Sequence, residues 1–238
     1  MNATIARLTM STLFGHRRGL LLFILPVVLL ALCVLLALTV DNSPDFSTAL
    51  LQMFGLAVIV PLISLLAATG ALSSEIDDGS IVYLLSKPIK RSTIIVTKAL
   101  VAIAVIVALG AVPMVIASLI LDVHDPQTAL AFGAGTVVAG IAYTAIFIAL
   151  SATSGNAVTI GLLYALLWEG VMGQYVGGAK ALSVQQWSLA VIHQLTDAPH
   201  VTSAVKLPIA LILLIAVTAI GITVAITRLR SLSLSTAE

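Results

Sequence analysis

Charged side chains are scarce in this chain of 238 residues. Lysine, arginine, aspartate and glutamate make up 9% of the sequence, whereas hydrophobic residues make up 60%. A soluble globular domain carries about 25% charged residues, so this composition excludes that class. The formal net charge of +1 leaves no basic surface for a phosphate backbone, and nucleic acid is therefore not an expected partner.

Residues that usually hold metals or disulfides are also scarce. The single cysteine, Cys33, lies in an apolar run, which excludes both an internal disulfide and a CxxC redox or zinc motif. The four histidines do not follow a metal-ligand spacing, so no metal site is expected. His193 and His200, with Asp197 between them, are the one alternative, and we interpret them as part of an ordinary polar loop.

Two enzyme signatures are missing as well. A phosphate-binding loop requires GxxxxGK followed by serine or threonine, and the nearest stretch, Gly173 to Ala181, has alanine on both sides of Lys180. An intramembrane protease needs a nucleophile and base, or metal ligands, at membrane depth. No long apolar segment contains histidine or paired glutamates. We therefore expect this chain not to be an enzyme and not to hold a cofactor itself.

Six long apolar segments make up most of the chain. They cover approximately residues 19–40, 49–72, 94–121, 128–152, 157–173 and 207–227. Because a helix needs about 20 apolar residues to cross the hydrocarbon core, we predict six transmembrane helices in one all-α membrane domain, residues 1–238. The first segment is longer than the about 7–15 apolar residues of a secretory signal, so we interpret it as a span.

Two further segments predict short helices outside the spans. Residues 1–18 are polar and basic, with an apolar face at Ile5, Leu8 and Thr12 that Met10 and Phe14 extend. This pattern predicts an interfacial helix before the first span, with a disordered tail as the alternative. Residues 170–206 are too polar and too rich in glycine for a complete span, and they predict short re-entrant or interfacial helices before the sixth span.

The distribution of lysine and arginine predicts the orientation. With six spans and an internal N-terminus, nine of these residues lie on the cytoplasmic side and two, Lys180 and Lys206, lie outside. Since cytoplasmic loops carry the excess of basic residues, we expect both termini to be cytoplasmic. Five or seven spans would place Arg228 and Arg230 outside, against this rule.

A charged stretch, Ser73 to Lys98, separates the second and third apolar segments. It combines three acids with four bases around an apolar patch whose residues Ile81, Leu84 and Leu85 follow a helical spacing. Pro88 ends or kinks such a helix, because proline disfavours the helical conformation of the preceding residue. We predict a short cytoplasmic helix here.

This stretch resembles the first cytoplasmic loop of the type-2 ATP-binding cassette (ABC-2) permeases. The resemblance rests on residue type, order and spacing at Glu75, Gly79, Ser80, Leu84, Leu85, Ser86, Pro88, Ile89, Arg91 and Lys98. Lys90 departs from the family, which often has serine or threonine there. The resemblance implies a coupling helix that is seated on a cytosolic ATPase, with coupling residues Glu75, Asp78, Gly79, Leu84, Leu85, Pro88 and Arg91.

The resemblance also implies a function. The implied function is that of a permease subunit in the plasma membrane of a bacterium. It would export a hydrophobic or amphiphilic substrate, such as a drug, peptide or lipid. The expected partners are two copies of an ABC ATPase, which would bind ATP and Mg, and a second or homologous permease copy within membrane lipid. The alternative is a non-catalytic assembly or signalling protein that uses the same loop as a docking surface.

Glu169 is the one acid expected at membrane depth. Burying a carboxylate near the bilayer centre costs about 2.5–3.5 kcal/mol, so such a residue is usually paired or lines a wet cavity. We consider it a candidate for the pathway or gate, with Lys180 or Lys206 as partner, and a carboxylate that reaches water at the outer interface as the alternative. Phe54 and Tyr164 are candidate contacts for an apolar substrate, with core or lipid contact as the alternative for each.

Overall fold

The computed structural model describes residues 3–15, 17–39, 44–77, 90–122, 125–196 and 201–231. These ranges are almost entirely helical and contain no strand. Six helices within them are long and apolar enough to cross a membrane, namely Gly19–Thr39, Phe46–Ser73, Arg91–Leu121, Pro126–Thr153, Ala157–Tyr175 and Leu207–Ser231. We call them spans 1 to 6. The prediction of an all-α protein with six membrane-spanning helices is confirmed.

Three of the spans contain a π-helix. Span 2 lies within three consecutive helices: the α-helix Pro44–Leu50, the π-helix Leu51–Ile59 and the α-helix Val60–Asp77. Span 3 runs through Arg91–Ile106, the π-helix Val107–Ala111 and Val112–Leu121. Span 5 runs through Ala157–Leu163, the π-helix Tyr164–Met172 and Gly173–Tyr175. Such wider turns are frequent at functional sites, so the three π-helices indicate where to look for one.

Spans 1, 4 and 6 are uninterrupted α-helices, Arg17–Thr39, Pro126–Thr153 and Leu207–Ser231. Span 4 is the central element, since it packs against spans 2, 3 and 6. Its start is fixed by Asp125, whose side chain accepts a hydrogen bond from the Thr128 backbone N–H at 3.0 Å. Its many small residues let neighbouring helices approach closely where lipid provides no other driving force.

The segment between spans 5 and 6 forms two short helices, Gly177–Lys180 and Val184–Leu195. We call Val184–Leu195 the internal helix, because most of its residues are buried and it packs between spans 4 and 6. It begins where the sequence carries a capping signal: Ser183 is the N-cap, and its side chain accepts from the Gln186 backbone N–H.

The N-terminal helix, Ala3–Gly15, packs against spans 2 and 3 through a buried face of Ile5, Thr9 and Leu13. Of the apolar face predicted from the sequence, Ile5 is buried within the protein, whereas Leu8, Met10 and Phe14 are exposed. That this helix lies at the membrane interface stays a prediction. The spacing of four residues in the buried face matches one side of a helix, and Leu13 lies directly against Gly70 of span 2.

Candidate functional site

Glu169 lies in the π-helix of span 5 and is completely buried. Its carboxylate accepts four hydrogen bonds. The Tyr164 hydroxyl donates to Oε1 at 2.9 Å, and the Ser183 hydroxyl donates to Oε2 at 2.6 Å. The backbone N–H of Val184 donates to Oε1 at 3.0 Å and that of Gln185 to Oε2 at 3.3 Å. Both carboxylate oxygens therefore have two donors each.

These donors explain how a carboxylate can be buried here. Val184 and Gln185 are the first residues of the internal helix, whose leading N–H groups have no partner within the helix and carry partial positive charge. Glu169 supplies the acceptor that they need. Glu169, Lys180 and Lys206 all lie in the described part of the chain, and no ion pair joins Glu169 to either lysine. The start of the internal helix, and not a lysine, supplies the hydrogen-bond donors to the carboxylate.

A glycine makes this close approach possible. A Cβ atom placed on Gly173, at the end of span 5, would lie 2.9 Å from the Cβ and Oγ atoms of Ser183. Real side chains do not reach such distances, so only glycine lets the start of the internal helix come this near to span 5. Gly173 belongs to the glycine-rich stretch that the sequence analysis interpreted as too irregular for a complete span, and here it permits the contact with Ser183.

Three glutamines extend the polar contacts to span 2. The Gln185 side-chain amide donates to the backbone carbonyl of Gln52 at 2.7 Å, and the Gln174 amide donates to the side-chain oxygen of Gln185. Gln52 belongs to the π-helix of span 2 and Glu169 to that of span 5. Two of the π-helices and the internal helix therefore meet at one cluster, which we call the carboxylate cluster: Gln52, Tyr164, Glu169, Gln174, Ser183 and Gln185.

Aromatic rings join the carboxylate cluster to span 4. Tyr143 stacks on Phe147 with ring centroids 6.1 Å apart, and Phe147 meets Tyr164 edge to face at 6.0 Å. Tyr143 is completely buried and close enough to Glu169 to interact with it electrostatically. Its hydroxyl nevertheless has no hydrogen bond of standard geometry within the described residues.

The carboxylate cluster reaches from the middle of the bundle toward the end at which span 2 begins and span 5 ends, since Gln52 lies six residues after Phe46 and Gln174 directly precedes Tyr175. Span 4 has 28 residues and is about 42 Å long, and Tyr143 lies about 25 Å from its start at Pro126. Glu169 lies 12 residues after Ala157, or about 18 Å from the other end of the bundle. The internal helix runs antiparallel to span 4, since Thr196, just after its end, contacts Thr128 at 2.6 Å between hydroxyl oxygens.

The predicted site residues fall into two groups. Tyr164 and Glu169 come together, whereas Phe54 packs against the apolar core of span 2 and makes none of the hydrogen bonds of the carboxylate cluster. Of the predicted coupling residues, Asp78, Gly79, Leu84, Leu85 and Pro88 lie outside the described residues, as does the side chain of Glu75. Arg91 is half-buried and opens span 3.

Sequence reasoning missed Ser183 and the glutamines. One signal was present: Ser183 followed by Gln186 is a capping-box pattern, which marks the start of a helix. Nothing in the sequence joins Gln185 to Gln52, which are 133 positions apart. That contact depends on how the spans pack.

Comparison with known families adds to this geometry. A search of curated proteins found no match. A family model described as ABC-2 family transporter protein matches residues 4–237, essentially the whole chain. This is the family that the loop motif indicated, and the six membrane-spanning helices agree with it. The chain is therefore a multi-pass membrane protein that belongs to the ABC-2 transporter family, as a component of an ABC-type permease.

Proposed function

We propose that this chain is the membrane-spanning subunit of an ABC exporter for a hydrophobic or amphiphilic substrate. The observation that carries the proposal is the match to the ABC-2 family over residues 4–237. Members of this family typically pair with an ATP-binding subunit. In this proposal two such subunits dock on residues 73–91 and hold ATP and Mg, and a second or homologous permease copy completes the pathway.

The proposed orientation has both termini in the cytoplasm of a bacterial cell, across its plasma membrane. The nine-to-two distribution of basic residues supports it. ATP-driven closure of the ATPase subunits would displace the segment between spans 2 and 3. Because a partner can shift a conformational equilibrium only through its different affinity for the two states, the ATPase must bind the outward-open permease and the resting permease unequally.

We propose that the carboxylate cluster is the latch of the outer gate. Glu169 joins the first turn of the internal helix to span 5, and Gln185 joins the same turn to span 2. Any movement that separates span 5 from the internal helix must break the bonds to Glu169 together. Hydrogen bonds to a charged group contribute about 1.5–3 kcal/mol each. They stabilise the closed arrangement over the open one by an amount that an ATP-driven step can overcome.

The first test is a pull-down of the tagged chain from mild detergent, scored for a co-purifying ABC ATPase. The native chain is compared with a Glu75→Ala, Arg91→Ala double variant, and with Arg228→Ala as a control that removes a basic residue outside the loop. We expect the ATPase with the native chain and with the control, and its loss with the double variant.

A second measurement separates export from assembly. Cells with and without the chain are loaded with hydrophobic fluorescent dyes, and dye efflux is measured. Efflux that depends on the chain and on Glu75 supports the exporter. A folded, monodisperse chain that recruits no ATPase and changes no efflux would contradict the proposal and favour an assembly or signalling protein.

A further inference from the structure

Lys98 is a lysine that is completely buried. It lies in the second turn of span 3, whose helix begins at Arg91. Its ammonium group donates a hydrogen bond to the backbone carbonyl of Ala71 in span 2 at 2.5 Å, between residues 27 positions apart. The helix of Ala71 ends at Asp77. Lys98 therefore joins the end of one span to the start of the next, on either side of segment 78–90.

The residues that flank Lys98 and Ala71 along the chain are closely packed. Ile94, Ile95 and Thr97 of span 3, and Ala68 and Leu72 of span 2, are completely buried. The N-terminal helix packs on both spans here, and its Leu13 lies against Gly70, the residue before Ala71. The ammonium is thus held inside a three-helix contact and is inaccessible to solvent.

A buried lysine needs a compensating interaction. Burying an ammonium group is costly unless it is hydrogen-bonded. Methionine has a similar length and would fill the same space. What lysine adds is a directional, charge-assisted hydrogen bond from span 3 to a backbone carbonyl of span 2.

We propose that Lys98 is a positioning residue that holds the end of span 2 and the start of span 3 together as one body. A displacement of segment 78–90 by an ATPase would then move both spans at once. Without the Lys98 bond, the end of span 2 and the start of span 3 would move independently, and the displacement would not reach the rest of either span. This inference rests on the proposed function, because it concerns how that segment transmits motion.

The test replaces Lys98 with methionine and, separately, with arginine. Ile94→Met is the matched control, since it changes a buried neighbour without removing a charge. An environment-sensitive dye is attached at position 175 in a Tyr175→Cys, Cys33→Ala background, because Tyr175 is 75% exposed near the proposed gate. The fluorescence change on adding ATP is measured in proteoliposomes that contain the ATPase partner.

We expect Lys98→Met to fold and to bind the ATPase normally, because the burial cost of the ammonium group is removed together with its hydrogen bond. The equilibrium constant of the ATP-dependent change, taken from a fluorescence titration, should fall at least about tenfold, the effect of losing a charged hydrogen bond. Lys98→Arg and Ile94→Met should keep most of the signal. A native-size signal in Lys98→Met would overturn the inference. Loss of folded protein in Lys98→Met alone would also overturn it, since Lys98 would then act through stability.

A second readout does not depend on any ATPase. In the permease alone, hydrogen exchange in Lys98→Met should accelerate at residues 71–77 and 91–98 and stay unchanged in spans 4 and 6. Unchanged exchange at both helix ends would refute the role of Lys98 and leave the proposed function standing. Failure of the native chain to recruit an ATPase would refute the proposed function and leave this exchange result intact.

Discussion

Replacing Glu169 with alanine should release the first turn of the internal helix. The four hydrogen bonds to its carboxylate share one group, so their energies are not additive. Breaking a buried charged network by removing one partner costs about 3–5 kcal/mol. The backbone N–H groups of Val184 and Gln185 would lose their acceptor, and their local opening should become easier by that amount.

Hydrogen exchange measures this opening directly. Since 1.4 kcal/mol corresponds to a factor of ten, exchange at residues 184–187 should accelerate about 140- to 4,000-fold in Glu169→Ala. Glu169→Gln keeps one acceptor oxygen and loses one charged bond, about 1.5–3 kcal/mol, which predicts about 10- to 140-fold. The melting temperature should change much less, because both variants avoid the cost of burying a carboxylate, about 2.5–3.5 kcal/mol.

Lys180→Ala is the control for this experiment. The sequence suggested Lys180 as a partner of Glu169, but no ion pair joins them, so exchange in the internal helix should not change. If Glu169→Ala left the exchange of residues 184–187 at the native rate, the carboxylate would not hold the helix and the latch would be refuted. Acceleration in Lys180→Ala as large as in Glu169→Ala would show that charge in general, and not the four bonds, controls this turn.

Two further predictions concern the donors of the carboxylate cluster. Ser183→Ala removes both the N-cap and one donor to Glu169, and should destabilise the internal helix by about 0.5–2 kcal/mol, measured as faster exchange of residues 184–187. Tyr164→Phe removes a bond to the carboxylate and should lower the thermal stability in detergent by about 1.5–3 kcal/mol. Native stability in Tyr164→Phe, or native exchange of residues 184–187 in Ser183→Ala, would contradict this assignment.

The sequence predicts the spans well because the burial of apolar side chains in the membrane dominates their formation. Each crossing must bury about 20 apolar residues, and a run of that length is visible without any tertiary information. The helix ends are predicted less well: span 4 starts at Pro126 behind the Asp125 cap, and the helix that contains the end of span 2 continues to Asp77. The three π-helices have no signal in hydropathy, because a wider turn changes the direction of side chains and not their composition.

The candidate site is predictable only in part, for a related reason. A glutamate in an apolar segment is conspicuous, so Glu169 could be selected from the sequence alone. Its partners could not, because backbone N–H groups occur at every residue. Which of them point at the carboxylate depends on the turn through residues 176–182, and on Gly173 allowing the contact with Ser183. A lysine was the expected partner of Glu169, but the start of the internal helix supplies partial positive charge in its place.

Glu169 and Lys98 show the same principle at two places in the bundle. Each is a completely buried charged side chain bonded to the backbone of another helix, Glu169 to the N–H groups that open the internal helix and Lys98 to the Ala71 carbonyl of span 2. Such bonds are strong in a low-dielectric interior but depend steeply on direction. Rotating a helix by one residue turns its terminal groups by about 100° and breaks them together. Contacts of this kind therefore favour two discrete arrangements over a gradual deformation, which is what a gate and a coupling element both require.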